Sequence, residues 1–364
     1  MSKSLFIAST GQNVGKTTAC LGLFSGLQKR FSRVGFCKPV GQQTVEVEGC
    51  QLVDKDVVLV KEHFGLLSPY HDMSPVLFPP GFTRDFLEGK VSTQNLKERI
   101  SKSFEKIRKE HEFVLLEGTG HVGVGSIAGI NNAQVAAMLN VPMVLVAPGG
   151  LGSAFDELAL NKALCDEHGA KVVGVILNRV LPEKREMLTK YMTKALKSWN
   201  IPLLGSIPYD SFLSNPMMKD FEQLFKTTLI TGAEHRLRHF KQTRLVDTSL
   251  ETYHELIAKS QLIITPATRE DIILATLTRH WDVKLEHPGN DLEAGMILTG
   301  DTPPKRSIVD EIKKASIPML YAPLSSYQVM KMITSFTAKI FKEDVPKVQE
   351  AIEVVESHIN FSVI

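Results

Sequence analysis

The chain has 364 residues, of which 43% are hydrophobic and 23% are charged, a composition typical of a globular protein and not of a disordered or fibrous one. Its length favours two domains, or three. The 42 basic and 40 acidic residues leave a formal net charge of +2. This balance does not provide the excess of positive charge that is typical of proteins that bind nucleic acid or an anionic membrane. We therefore expect neither of these among its partners.

The start of the chain and its cysteines indicate a cytoplasmic protein. An apolar strand is predicted at residues 4–9, almost at Met1, which leaves no room for a signal peptide. No apolar run approaches the ~20 residues that are needed to cross a bilayer. The cysteines lack metal-ligand spacing and are expected to be buried, reduced thiols: Cys20, Cys37, Cys50 and Cys165.

Through about residue 215, short apolar strands alternate with helical segments. After the first strand, further strands are predicted at residues 34–37, 113–116, 141–146, 172–177 and 203–207. Helices are predicted at residues 16–29, 92–111, 154–168 and 184–199. Strands that are apolar on both faces and separated by helices indicate a parallel sheet covered on both sides. The segment from Pro69 to Gly81, rich in proline and turn residues, is interpreted as a loop.

A second α/β pattern follows a change near Asn215-Pro216. Its periodicity is weak as far as about residue 244. Strands are then predicted at residues 261–265, 294–299 and 318–322, and helices at residues 269–278, 305–315 and 345–358. We therefore predict one α/β domain in residues 1–215, and a linker with a smaller α/β domain and C-terminal helices in residues 216–364.

The turn between the first strand and the first helix has the pattern of a phosphate-binding loop. Small residues allow a tight turn whose N–H groups point at phosphate oxygens, and the helix N-terminus adds partial positive charge. Lys16 can reach the β- and γ-phosphates, and the Thr17 hydroxyl can bind magnesium. Thr10 replaces the usual first glycine. We predict that a nucleoside triphosphate with Mg²⁺ binds to Gly11, Gln12, Asn13, Val14, Gly15, Lys16, Thr17 and Thr18.

Polar residues in later segments are candidates to complete this site. Glu117 follows an apolar strand, where a carboxylate can hold magnesium. Asp56 or Asp54 supplies a second carboxylate, or both acids simply open a helix. Lys38 is either a surface lysine or a cation that meets a phosphate or a carboxylate substrate. His121 contacts substrate, acts as a base, or has no functional role. The predicted metal ligands are Thr17, Asp56 and Glu117, and the predicted catalytic residues are Lys16 and Lys38.

Taken together, these segments resemble the dethiobiotin synthetase branch of phosphate-loop proteins over about residues 3–210. The family order is the phosphate loop, then Lys38-Pro39-Val40, then Glu117-Gly118-Thr119-Gly120. This resemblance implies a phosphate-loop NTPase-like fold that binds ATP with Mg²⁺. It further implies that Asn178 hydrogen-bonds the adenine edge, that Pro208 helps to close the nucleotide pocket, and that the protein is a homo-oligomer, a dimer by analogy.

A closer resemblance is to the N-terminal region of long bacterial phosphate acetyltransferases. There a dethiobiotin synthetase-like domain precedes a DRTGG domain, and the catalytic domain comes last. The segments at residues 9–15 and 36–42 carry the first part of this resemblance, and residues 262–274 and 295–300 resemble the two DRTGG signature stretches. Because the sequence ends at Ile364, before a catalytic domain, we expect that it does not make acetyl phosphate by itself.

Three functions are open at this point: regulation, ligation, and a structural scaffold that merely retains nucleotide. In the first, a Mg-ATP-binding module and a DRTGG sensor module regulate a metabolic enzyme. A second ligand of adenosine type would then bind the DRTGG domain, near Arg269 or Asp271, unless these residues merely open an exposed helix. In the second, the protein is an ATP-dependent ligase that activates a carboxylate or carbamate, with Lys16, Lys38 and Glu117 stabilising charge. Weak ATPase activity is compatible with either.

Overall fold

A computed structural model describes residues 3–47 and 49–363 of the chain. They form two compact units. The first unit contains the residues up to Asp210 together with those from Ile340 onward, and the second contains residues 211–339. The second unit is therefore an insertion in the sequence of the first. Within the two described stretches, no helix is both long and apolar enough to cross a membrane.

The first unit is organised around a parallel six-stranded sheet. The strands of the whole unit are β1 (Lys3–Ser9), β2 (Val34–Cys37), β3 (Val40–Gly41), β4 (Thr44–Val47), β5 (Gln51–Asp54), β6 (Val76–Leu77), β7 (Phe113–His121), β8 (Met143–Pro148), β9 (Val172–Val180) and β10 (Leu203–Pro208). The main sheet has the order β10-β9-β8-β1-β7-β2, and every neighbouring pair is parallel. The other four strands form two small sheets, β3 with β6 and β4 with β5.

Helices cover this sheet, and its central strands are buried along almost their whole length. The helices are α1 (Lys16–Gln28), α2 (Lys55–Phe64), α3 (Tyr70–Met73), α4 (Phe82–Leu87), α5 (Thr93–Glu110), α6 (Asn132–Met138), α7 (Gly152–His168) and α8 (Arg185–Leu196). Burial of consecutive strand residues requires cover on both faces, so the predicted parallel α/β fold is confirmed. The central position of β1 also brings the phosphate loop to the middle of the sheet edge.

Two local expectations for the first unit are wrong. The segment from Pro69 to Gly81 is not a simple loop, because it contains α3 and β6, and buried Val76 pairs with Val40 of β3. Cys50 is exposed, since it occupies the tight turn between β4 and β5 with a φ of 60°. The other three cysteines are buried free thiols, as expected.

The second unit holds a five-stranded sheet with one antiparallel edge strand. Its strands are β11 (Leu229–Thr231), β12 (Gln242–Leu245), β13 (Gln261–Pro266), β14 (Gly295–Thr299) and β15 (Met319–Ala322). Its helices are α9 (Ser211–Ser214), α10 (Met218–Phe225), α11 (Leu250–Leu256), α12 (Glu270–Glu286), α13 (Arg306–Ala315) and α14 (Ser326–Ser335). The order is β11-β15-β14-β13-β12, with β12 to β15 parallel and β11 antiparallel to β15.

Alternate residues of these strands enter two separate cores. Ile263 and Met296 pack with apolar residues of α11, α12 and α13 on one face. Leu262 and Ile297 pack with α10 and α14 on the other face. The period of two along each strand thus buries both faces of the sheet, as expected for parallel strands between helices.

The end of the chain packs on the first unit, which differs from the predicted second domain of residues 216–364. The last helix, α15 (Val345–Glu356), lies against α1. A Cβ at Gly22 would be 2.3 Å from the Cβ of Val355, so the two helices approach as closely as a glycine permits. This contact buries the apolar stripe of α15, and that burial is the physical reason why α15 packs on the first unit.

Candidate functional site

The phosphate loop connects β1 to α1 and includes two residues with left-handed backbone. Gly15 caps α1 with a φ of 99°, and Asn13 has a φ of 57°. A Cβ at Gly15 would lie 2.0 Å from Nδ2 of Asn178, so both conformation and space require glycine there. The predicted residues 11–18 all lie in this loop or in the first turn of α1, where unpaired N–H groups and the helix dipole favour an anion.

The Lys16 ammonium is buried inside the site. Its Nζ donates hydrogen bonds to Ser9 Oγ at 2.8 Å and to the Gly120 carbonyl oxygen at 2.6 Å. Burial lowers the pKa of Lys16, although the negative charge of Glu117 opposes the change. Because both hydrogen-bond acceptors are neutral, an anionic ligand within reach would stabilise this desolvated cation further.

Glu117 lies on β7, beside the start of α1. Its Oε1 accepts a hydrogen bond from Thr17 Oγ1 at 2.9 Å. Its other oxygen, Oε2, is buried and has no hydrogen-bond partner within the described part of the chain. Burial raises the pKa of Glu117 to about 7, against the opposing charge of Lys38. A carboxylate oxygen without a donor, next to a hydroxyl, suits a hard cation such as Mg²⁺.

The metal prediction of Thr17, Asp56 and Glu117 is compatible with magnesium that shares its coordination with phosphate and water. Across residues 3–47 and 49–363, no group of three or more His, Cys, Asp and Glu side chains is arranged to hold a metal ion alone. Mg²⁺ commonly uses one or two carboxylates together with substrate phosphates and several waters. Thr17 and Glu117 are in contact, and Asp56 is connected to Glu117 through Lys38.

Lys38 is buried among three carboxylates, so it is not a surface lysine. Its Nζ lies 2.9 Å from Asp54 Oδ1 and 3.9 Å from Glu117 Oε1, and it also contacts Asp56 Oδ2. Burial opposes its charge, yet Asp56, Asp54 and Glu117 together hold the pKa of Lys38 well above its usual range. Burial likewise opposes the charge of Asp56, but the Lys38 ammonium holds the pKa of Asp56 below its usual range. The ammonium and carboxylates thus stabilise each other.

Asp54 and Asp56 have different structural roles. Asp54 is the N-cap of α2 and accepts hydrogen bonds from the backbone N–H groups of Asp56 at 3.0 Å and Gln42 at 3.0 Å. This accounts for the sequence alternative in which an acid opens a helix. Asp56, the second residue of α2, pairs with Lys38 and lies 3.7 Å from the Lys55 ammonium. Of the two acids, Asp56 is therefore the better candidate ligand.

Asn178 and Pro208 lie at the same edge of the sheet as the phosphate loop. The Nδ2 of Asn178 donates to the Val14 carbonyl oxygen at 2.7 Å, so this amide fixes the loop. The contact of Asn178 with adenine stays a prediction. Pro208 ends β10 and pairs with Val180 of β9. Val180 lies two residues after Asn178 on the same strand. Its place in a nucleotide pocket also stays a prediction.

Two buried asparagines that the sequence reasoning missed organise the loops around the site. Asn161 on α7 donates to the Thr10 carbonyl oxygen at 3.0 Å and accepts from the Val122 N–H at 3.2 Å. Asn132 on α6 donates to the Thr119 carbonyl oxygen at 2.9 Å and accepts from the Thr119 N–H at 3.2 Å. A single asparagine in a helix has no sequence signature, so only the folded chain reveals these roles.

The structure explains what Thr10 and His121 contact, the two residues that depart from the usual motif. The Thr10 hydroxyl, at the position of the usual first glycine, donates to Glu157 Oε2 on α7 at 2.7 Å. The threonine therefore ties the loop to a neighbouring helix. His121 is exposed, and its Nδ1 accepts from the Gly123 N–H at 3.1 Å within the turn after β7. A contact of His121 with substrate, or a role as base, stays a prediction.

In the second unit, Arg269 and Asp271 form a two-point ion pair at the start of α12. Arg269 Nε and an Nη nitrogen lie 2.9 and 2.7 Å from the two carboxylate oxygens of Asp271. The guanidinium also donates to the Thr248 carbonyl oxygen at 3.2 Å. Both side chains are partly exposed and satisfy each other, which favours the opening of an exposed helix over a ligand site.

These features define a class: a parallel α/β domain in which a phosphate-binding loop joins the central strand to a helix. The AAA_26 family, described as an AAA domain, matches residues 3–217, and the DRTGG domain family matches residues 222–336. The chain belongs to the AAA_26 family. It combines a dethiobiotin synthetase-like phosphate-loop domain with a DRTGG domain, so both resemblances seen in the sequence are confirmed.

Curated relatives include phosphate acetyltransferases. The one from Nitratidesulfovibrio vulgaris is 27% identical over 379 residues, which cover 100% of this chain and 51% of the relative. That of Synechocystis sp. is 25% identical, over 99% of this chain and 51% of the relative. The chain thus spans about half the length of these proteins. The ATP-dependent dethiobiotin synthetase of Nitrosopumilus maritimus is 25% identical, over 62% of this chain and 96% of the relative.

Solved structures with partial likeness include the cell division protein MinD of Aquifex aeolicus. It covers 58% of this chain and 84% of its own, with 17% identity and a TM-score of 0.37. The CBS and DRTGG domains of Clostridium perfringens pyrophosphatase, complexed with the activator diadenosine tetraphosphate, cover 61% of this chain and 77% of their own. Their identity to this chain is 12% and the TM-score is 0.27.

Proposed function

We propose that the first unit binds Mg-ATP and that the protein is a regulator which communicates its nucleotide state to a metabolic enzyme. The arrangement of Lys16, Thr17 and Glu117 carries this proposal. Among the described residues, a buried ammonium donates to two neutral acceptors, and beside it a hydroxyl donates to a carboxylate whose Oε2 has no donor there. A triphosphate supplies the missing negative charge, and Mg²⁺ supplies the missing partner of the carboxylate.

The contacts of the bound nucleotide follow from this arrangement. The N–H groups of residues 11–18 and the Lys16 ammonium would hold the phosphates. Thr17 and Glu117 would hold Mg²⁺, with Asp56 in support through Lys38. Asn178 and Pro208 would border the base, since both lie at the edge where the loop begins.

The burial and ion pairing of Lys38 favour a regulatory function over a ligase activity. A ligase needs a cation that can stabilise charge developing on its substrate. Lys38 is instead occupied by Asp54, Asp56 and Glu117 in a buried network. Similarity of the whole chain to phosphate acetyltransferases supports a metabolic enzyme as the partner. The attached DRTGG domain is a candidate sensor, and an adenosine-type ligand for it stays part of the proposal, as does a homodimer.

A ligase of the dethiobiotin synthetase type is the second candidate. It is favoured by the near-complete coverage of the Nitrosopumilus maritimus relative and by the position of Lys38 beside Glu117. In this reaction ATP would phosphorylate a carboxylate or carbamate before an amide bond or ring closes. Lys16 and Lys38 would then stabilise the charge on the transferred phosphoryl group.

Calorimetric titration with ATP and MgCl₂ tests nucleotide binding. We expect one nucleotide per chain, and Lys16→Ala should abolish the heat of binding. Lys102→Ala, which changes an exposed lysine on α5, is the matched control and should bind as the unchanged protein does. Equal binding by Lys16→Ala would mean that ATP does not use this loop.

Release of ADP separates the two candidate functions. The purified protein is incubated with Mg-ATP, with and without diaminopelargonic acid and bicarbonate. We expect slow turnover that these compounds do not change. ADP release stimulated by them would establish the ligase instead.

A further inference from the structure

The helix α8, which packs on β10 at one edge of the main sheet, carries an excess of positive charge. Residues 181–200 contain five basic and two acidic residues, a net charge of +3, whereas the whole chain has a net charge of +2. Four exposed lysines lie on α8 or at its two ends: Lys184, Lys190, Lys194 and Lys197. The positive charge of the chain is therefore concentrated on this helix.

The chain itself does not neutralise these four lysines. Among the described residues, none of the four ammonium groups forms an ion pair with a carboxylate. Glu186 precedes Lys190 by four residues, a spacing that often gives an ion pair on a helix, yet these two side chains are unpaired. On α7, by contrast, Lys162 lies 2.5 Å from Asp166. The charge on α8 is therefore available to an external anion.

Two large side chains with apolar surface are exposed among these lysines. Met187 is 42% exposed, and Tyr191, one turn later, is 45% exposed. The ammonium groups of Lys190 and Lys194 each lie 5.7 Å from the centre of the Tyr191 ring. Because residues 187, 191 and 194 are spaced by four and three positions, they share one face of the helix. The opposite face is the buried one, with Leu188, Met192 and Leu196.

We propose that this face of α8 docks an acidic segment of a partner protein, in which carboxylates surround an aliphatic or aromatic side chain. The carboxylates meet the lysines, and the apolar side chain packs between Met187 and Tyr191. Complementary charge speeds the encounter and disfavours basic partners, while contact with an aromatic side chain supplies binding energy. The partner is then the metabolic enzyme of the proposed function, on which this part of the assignment rests.

Fluorescence anisotropy with a labelled synthetic peptide tests this docking surface. The peptide contains glutamates around one leucine and one phenylalanine, and its control carries lysines in place of the glutamates. We expect the acidic peptide to bind and the basic peptide not to bind. Binding should weaken between about 0.01 and 0.15 M salt, because the Debye length falls from about 30 to about 8 Å over that range.

Variants locate the binding surface. The double variant Lys190→Glu with Lys194→Glu should weaken peptide binding at least about tenfold. The matched double variant Lys102→Glu with Lys109→Glu changes the net charge equally on α5, which packs on β2 at the opposite edge of the sheet. It should bind the peptide as the unchanged protein does. Tyr191→Ala should weaken binding by about tenfold, since truncation of an aromatic anchor commonly has an effect of that size.

All of these variants change exposed side chains, so the protein should stay folded, and its thermal midpoint checks this. No binding of the acidic peptide, equal binding of the basic one, equal losses in the two double variants, or unchanged affinity in Tyr191→Ala would overturn the proposal. Tighter binding of a DNA duplex or of phosphatidylserine vesicles than of the peptide would also overturn it, in favour of a nucleic acid or an anionic membrane. Binding of Mg-ATP is measured separately, so its failure would contradict the proposed nucleotide site and leave the peptide result standing.

Discussion

Both units contain a sheet of mainly parallel strands between helices, but the two units differ in the burial and pairing of charged groups at the carboxyl ends of the strands. In the first unit, Lys16, Lys38 and Glu117 are buried, and Glu117 Oε2 has no donor within residues 3–47 and 49–363. In the second unit, Arg269 and Asp271 are partly exposed and satisfy each other. Buried charge with incomplete pairing is costly without a ligand, so the comparison supports the proposed ligand site in the first unit.

The residues before the corresponding helices differ as well. Gly15 enters α1 from a left-handed conformation with a φ of 99°, whereas Arg269 enters α12 with a φ of −83°. Only the first of these conformations lies in the left-handed region. The same α/β architecture thus connects a strand to a helix through different backbone conformations in the two units.

Lys38→Ala is expected to have the largest effect, because it removes the cation shared by Asp54, Asp56 and Glu117. An uncompensated buried charge costs about 3–5 kcal/mol, so the free energy of unfolding of the first unit should fall by that amount. Each unit contains one tryptophan, Trp199 or Trp281. Urea unfolding followed by Trp199 fluorescence in a Trp281→Phe background measures the change.

Arg269→Ala is the matched change in the second unit. It breaks a partly exposed pair, so the loss of unfolding free energy should be about 0–1 kcal/mol. Trp281 fluorescence in a Trp199→Phe background reports it. Similar losses in the two units would contradict the difference in burial on which the comparison rests.

The stabilities of the two units should respond to pH with opposite signs. Burial raises the pKa of Glu117 from 4.5 to about 7, so the folded state retains a proton that the unfolded state has lost. Stability of the first unit should therefore fall as pH rises from about 4.5 to 7. Burial lowers the pKa of His280 from 6.5 to about 4, so the unfolded state binds the proton first. Stability of the second unit should therefore rise over about pH 4 to 6.5.

Variants isolate these two contributions. Urea unfolding at several pH values is compared between the unchanged protein and Glu117→Gln for the first unit, and His280→Leu for the second. Each variant should flatten the pH dependence of its own unit by an amount of order 1–3 kcal/mol across the window. A slope that survives Glu117→Gln unchanged would assign the titration to another group.

Gly15→Ala and Gly300→Ala separate a crowded left-handed glycine from an open one. Gly300 has a φ of 101°, and apart from its chain neighbours no described residue comes within 4 Å of an added Cβ, so its replacement should cost about 1–2 kcal/mol of strain. An alanine at Gly15 also meets Asn178 Nδ2, so it should cost more and weaken Mg-ATP binding at least about tenfold. Urea unfolding and calorimetry measure both. Equal effects on ATP binding would show that the loop backbone is not the phosphate site.

Asn161→Ala is expected to weaken nucleotide binding less than Gly15→Ala does. It removes hydrogen bonds to Thr10 and Val122 and leaves their backbone groups unsatisfied, which should cost about 1–2 kcal/mol in the first unit. Affinity for Mg-ATP should fall only a fewfold, because the loop contacts of Asn178 remain. A loss as large as that of Lys16→Ala would give Asn161 a direct part in nucleotide binding.

Local sequence predicted those parts of the site that have a chemical motif. Gly15, Lys16 and Thr17 are adjacent in sequence, and Glu117 follows an apolar strand, so each was found without a structure. The contact of Asp54 with the Gln42 N–H and the loop contacts of Asn132 and Asn161 were not, because they depend on backbone groups that are remote in sequence. The function of Lys38 was open for the same reason: burial among carboxylates is not visible from its neighbours.

The sequence by itself determined the strand and helix periods, the phosphate loop and the order of the two domains, because these depend on residues close together in the chain. Only the tertiary structure decided that the last residues return to the first unit. The apolar stripe of α15 needs a partner, and Gly22 on α1 permits the approach of Val355. Likewise, only folding brought the Lys38 ammonium between Asp54, Asp56 and Glu117, since their mutual attraction acts across three separate segments.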